Sequence, residues 1–99
     1  DIPKAWSKVS TNVLAMHGEF DIQAISPDRA KRIADIVNKN NGKGDFILIH
    51  NADHGFVNFN SMQHNVETLG NGNYMSHARD NYSKALGEKS VAWINSKIK

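Results

Sequence analysis

A chain of 99 residues, 39% hydrophobic and 22% charged, has the composition of one small globular domain and not of a disordered segment. Its formal charge of +2 comes from 12 Lys and Arg dispersed along the chain against 10 Asp and Glu, without the basic patch that marks nucleic-acid binding. Cysteine is absent, which excludes disulfides, thiolate catalysis and Cys-ligated zinc and leaves the compartment open.

Ile2, Ala5, Trp6 and Val9 recur at helical spacing, with Pro3 suited to a first turn, and predict a short helix over residues 3 to 9. Val13-Leu14-Ala15-Met16 is apolar throughout and too short for a stable helix, so it reads as a strand buried on both faces, as in a parallel sheet. It ends in the polar turn Gly18-Glu19-Phe20-Asp21. The best-patterned helix follows: Ser26 as cap, Pro27 in the first turn, Asp28 at the positive dipole end, then Ala30, Ile33, Ala34 and Val37 on one face with Ile36 beside them. Asn40-Asn41-Gly42 stops it. Phe46-Ile47-Leu48-Ile49 is the second strand, and it ends in Asn51-Ala52-Asp53-His54.

Strand, helix and strand in this order form a crossover unit, which makes the two strands parallel and brings both following loops to one sheet edge. Neighbouring strands lie roughly 5 Å apart, so Asp21 and His54 are placed to meet. Beyond His54 the pattern loosens. Met62, Val66 and Leu69 suggest a helix capped by Ser61 and closed by Gly70-Asn71-Gly72; Ala78, Tyr82, Ala85 and Leu86 suggest another, stopped at Gly87. A last helix starts near Ser90, with Val91, Ile94 and Ile98 on its packed face and Trp93 beside them. No apolar run approaches the roughly 18 residues of a membrane span.

Gly18-Glu19-Phe20-Asp21 after one strand, Ala52-Asp53-His54-Gly55-Phe56 after the next, and a Trp-bearing final helix together resemble the C-terminal part of the α/β-hydrolase superfamily. The resemblance covers roughly residues 1 to 56 and the final helix. It implies a serine hydrolase of ester or amide substrates in which Asp21 is the orienting acid and His54 the general base of a Ser-His-Asp triad, with no cofactor. The family's Gly-x-Ser-x-Gly elbow is not in this chain, which therefore carries two triad members and is expected to be inactive alone. Glu19 and Asp53 are alternative acids. A His-based metal site is the lesser alternative, drawing on His50, Asp53 and His54 with His17, His64 and His77, but the His50-x3-His54 spacing falls on a strand end and not on a helix. Gly42-Lys43-Gly44 and Gly70-Asn71-Gly72 lack phosphate-loop spacing and read as turns.

A two-stranded sheet is marginal in isolation, and an open apolar edge invites pairing. The chain begins at Asp1 and not at Met. It is accordingly expected to be a single α/β unit over residues 1 to 99 that is either the C-terminal piece of a larger hydrolase domain or a self-associating, partner-binding module.

Overall fold

The two apolar runs form the two strands of a computed structural model that describes residues 2–98. β1 (Asn12–Gly18) and β2 (Lys43–Ile49) pair in parallel, in register from Asn12 opposite Lys43 to Gly18 opposite Ile49. Each strand outruns its apolar stretch, because a ladder continues while backbone groups find partners, whatever the side chains. α1 (Ile2–Trp6) precedes β1 and is shorter than its apolar spacing suggests.

α2 (Asp28–Lys39) makes the crossover. It begins one residue after Pro27, with the Asp28 N–H donating to Ser26 Oγ at 3.2 Å, and it buries Ala34 and Val37. Its approach to β2 depends on Gly44, where a Cβ would lie 2.7 Å from Ala34 Cα; without a side chain there, the helix backbone rests directly on the strand. Asn38 of α2 fixes the same point. Its Nδ2 donates to Gly44 O at 2.7 Å and its Oδ1 accepts from Gly44 N at 2.9 Å. Gly44 alternates with the residues that bond β1, so Asn38 covers part of the outer edge of β2. Among the described residues, no hydrogen bond of this kind covers the outward backbone of Leu14 and Met16 on the other edge.

α5 (Lys84–Lys97) lies on the opposite sheet face. Trp93 Nε1 donates to Asp45 Oδ2 at 2.6 Å, Lys97 Nζ pairs with the same oxygen at 3.2 Å, and Ser90 Oγ reaches Met16 Sδ at 3.7 Å. These contacts dock the Ser90, Trp93 and Lys97 stripe and turn Val91, Ile94 and Ile98 outward, 57%, 48% and 69% exposed, contrary to the face expected from the sequence. Indole and ammonium meet a carboxylate there, and an apolar stripe offers Asp45 nothing equivalent.

α3 (Met62–Gly70) starts at the expected cap, with Ser61 Oγ accepting from His64 N at 3.0 Å, and the chain turns after it with Gly72 at φ 72°. The helix expected from Ala78 to Leu86 is instead divided. α4 (Tyr74–Asp80) ends at Asn81 because Asn81 O accepts from Asn58 N at 2.7 Å and Ser83 N donates to Phe56 O at 2.8 Å, tying this segment to the loop after His54. Ser83 Oγ then accepts from Leu86 N at 3.2 Å, and α5 runs through Gly87, which is no stop.

The architecture is thus mixed α/β, with five helices and two parallel strands among the described residues. A second apolar cluster of Val57, Phe59 and Ala78, joined by Phe20 and Tyr74, lies under α4. The accessible surface is 6714 Å² for 11.0 kDa, roughly 1,100 Å² above the ~5,600 Å² typical of a compact monomer of this mass. The radius of gyration, 15.4 Å, likewise exceeds the ~13 Å of a compact chain of this length.

Candidate active site

Both strands deliver their loops to the same end of the sheet, and the backbone joins those loops. Glu19 N donates to Ile49 O at 2.9 Å and Phe20 N to Ala52 O at 2.7 Å, while Glu19 Oε1 accepts from Asn51 N at 2.9 Å. Gly18 permits this approach. A Cβ on it would overlap the carbonyl oxygen of Asp53 and lie 2.6 Å from that of Ala52.

Asp21 is brought against His54, as the sequence suggests. His54 Nδ1 donates to Asp21 Oδ2 at 2.7 Å, and Asp21 Oδ1 accepts from Gln23 N and Ala24 N, each at 2.8 Å. The Asp21 side chain is 5% exposed and the His54 ring 54% exposed. Burial opposes ionisation of Asp21, but the hydrogen bonds from Ala24, His54 and Gln23 together outweigh it and hold the carboxyl below its ordinary value of 3.8. With Nδ1–H committed to the carboxylate, neutral His54 carries its free lone pair on Nε2, the arrangement a general base needs.

The alternative acids do other things. Glu19 Oε2 lies 3.6 Å from the exposed His50 Nδ1. Asp53, 4% exposed, is turned into its own loop: Oδ1 accepts from Gly55 N at 3.0 Å and Val57 N at 2.9 Å, and Oδ2 accepts from Tyr74 Oη at 2.5 Å. Burial and then the Asp53 carboxylate push the Tyr74 phenol above its ordinary range, so it stays a donor. These bonds hold Phe56 at φ 62°, a left-handed conformation costing about 1–2 kcal/mol in a bulky residue, and so fix the loop that carries His54. The partnership of Asp53 with Tyr74 was not legible in the sequence, because Tyr74 stands in the loosely patterned segment 21 residues away.

His17 is the other residue that the acid gathers. It is buried, with Nδ1 4.0 Å from Asp21 Oδ2 and Nε2 lacking a hydrogen-bond partner among the described residues. Its position at the end of β1, four residues before Asp21, is the only sequence signal for it. His64 and His77 belong to an aromatic group instead, His77 stacking on Phe59 at 4.5 Å and His64 meeting His77 edge-on at 5.1 Å. Among the described residues no three His, Asp or Glu side chains converge where a metal ion could be held.

A cleft of about 220 Å³ opens beside His54, lined by Ile22, Gln23, Asp53, Gly55, Leu69 and Tyr74 as well. An exposed imidazole oriented by a buried, ionised carboxylate at the mouth of such a cleft can accept a proton and hold it as imidazolium. No helix of the described residues is long and apolar enough to cross a membrane. Comparison of the chain with protein-family profiles, with curated proteins and with solved structures finds no match.

Proposed function

We propose that this chain supplies the acid and the general base of a serine hydrolase acting on ester or amide bonds. The observation that carries the reading is the 2.7 Å bond from His54 Nδ1 to an Asp21 carboxylate whose other oxygen is held by two backbone N–H groups. In this reading His54 Nε2 takes the proton of a serine hydroxyl and later returns it to the leaving group, while Asp21 fixes the tautomer and stabilises the imidazolium. The nucleophile comes from sequence outside these 99 residues. The outward edge of β1 is the place where the sheet of a longer chain would continue, and the edge of β2 that Asn38 covers is where it would end.

The test is the protein encoded together with the reading frame upstream of Asp1. It is expected to contain a Gly-x-Ser-x-Gly elbow and to hydrolyse short p-nitrophenyl esters. His54→Ala lowers kcat on the order of 10⁶-fold and Asp21→Asn on the order of 10⁴-fold, each with little change in KM. A stop codon in frame just upstream of Asp1, or full kcat in His54→Ala, refutes the assignment.

A second reading is favoured by a separate observation, the exposure of Val91 and Ile94 on α5 and of Ile98 just after it, together with the excess accessible surface. Here the chain is a non-catalytic module that covers these surfaces by association with itself or with a partner. The excess is of the size of one side of an ordinary interface, ~800 Å². Sedimentation of the 99-residue chain tests the self-association half: a monomer at all concentrations, with no binding of an apolar dye, excludes it.

A further inference from the structure

We infer that the cleft beside His54 is the subsite for the acyl group of the substrate, and that it selects a short, uncharged aliphatic chain. The inference rests on the hydrolase reading for its chemistry and on the cleft itself for its selectivity. Three features of the cleft agree.

Ile22, Leu69 and Tyr74 give the cleft apolar walls beside the polar Gln23, Asp53 and His54. Ile22, immediately after the acid, and Leu69, near the end of α3, are 37% and 43% exposed, so a bound aliphatic group would take their surface out of water. The ring of Tyr74 is the third wall. The carboxylate that lines the cleft, Asp53, has its oxygens occupied by Gly55, Val57 and Tyr74 and does not call for a cation. An anionic group would lie beside Asp53 and be repelled by it. Size sets the remaining limit. At about 220 Å³ the cleft falls below the ~300–1,000 Å³ of pockets that take drug-sized ligands, which leaves room for an acyl group of a few carbons.

The wall is also held in place. Asn65 of α3, fully buried, donates from Nδ2 to Phe20 O in the acid loop at 3.0 Å, and Tyr74 of α4 donates to Asp53 in the histidine loop. The α3–α4 hairpin is thereby fastened to both loops that carry the candidate catalytic pair, so the cleft does not widen freely to admit a longer chain. The segment that is least patterned in sequence thus sets the size limit at the site.

The experiment is a titration of the methyl-labelled 99-residue chain with ethyl butyrate, followed by NMR. The methyl signals of Ile22 and Leu69 are expected to shift saturably. Monoethyl succinate, similar in size but anionic, should bind at least 10-fold more weakly, and ethyl dodecanoate should bind no more tightly than ethyl butyrate. Leu69→Trp, which fills the cleft from an exposed position, should abolish the shifts; Ile22→Trp blocks it from the opposite wall and serves if the first variant does not fold. Unchanged binding in both Trp variants, or shifts confined to Val91, Ile94 and Ile98, overturns the inference. Failure of the hydrolase reading has a different signature, normal kcat in the His54→Ala full-length protein while ethyl butyrate still binds here.

Discussion

Replacing Gly18 by Ala tests how the strand end and the histidine loop are joined. The added methyl would lie 2.6 Å from Ala52 O and closer still to Asp53 O. Ordinary carbon–oxygen contacts are about 3.3 Å or more, so the loop must withdraw by roughly 0.7 Å at Ala52 O and by about 1 Å at Asp53 O. Both obstructing atoms are backbone carbonyls, bonded in turn to Phe20 N and Phe56 N, and cannot swing aside as a side-chain tip would. A retreat of that size, carried through to His54, takes its 2.7 Å bond to Asp21 past the limit of hydrogen bonding. Overpacking costs about 1–3 kcal/mol and loss of a hydrogen bond to a charged group ~1.5–3 kcal/mol, together roughly 3–5 kcal/mol. That is a large share of the stability of a small domain, ~5 kcal/mol at the low end. Urea unfolding followed by circular dichroism gives the loss, and the low-field proton signal of His54 Nδ1–H reports the bond itself. A Gly18→Ala variant within about 0.5 kcal/mol of the parent, the spread of neutral surface changes, and with that proton unmoved, refutes the close-approach argument.

Acid should weaken the fold through Asp21. Its carboxyl is held below 3.8 in the folded chain, so its contribution is fully present above that pH and is lost as the pH falls through the lower folded value. The Asp21→Asn variant should be less stable at neutral pH and lose this part of the acid dependence; an identical profile in both proteins would contradict the assignment. Tyr74→Phe should cost ~1.5–3 kcal/mol by removing the bond to Asp53, with faster amide exchange at Gly55 and Val57. The Tyr74 phenol is raised, so the stability it confers is present below its ordinary value of 10.0 and is lost only as the pH rises through the still higher folded value. Absorbance titration should accordingly show Tyr74 ionising only with alkaline unfolding.

The sequence alone determined the parts governed by local pattern. Two short apolar runs, an amphipathic helix between them and a polar turn after each dictated the parallel pair and put Asp21 and His54 at one edge, because a crossover helix leaves few other topologies. The cap at Ser61 was equally legible, being set by neighbours in the chain. Ser26 did not take the N-cap position expected of it; Pro27 stands there without a side-chain bond. Tertiary structure decided what depends on distant partners. Helix periodicity showed that Val91, Ile94 and Ile98 share a face, but the docking of Trp93 and Lys97 on Asp45 decided that this face points outward. The break between α4 and α5 arose because the backbone at Asn81 and Ser83 found partners in the loop after His54, which no local propensity records. Asp53 and Tyr74, the pair that steadies the histidine loop, are 21 residues apart and meet only when α4 folds back over the site. Hydrogen bonds between remote groups leave no periodic trace in a sequence, whereas strands, helices and caps do.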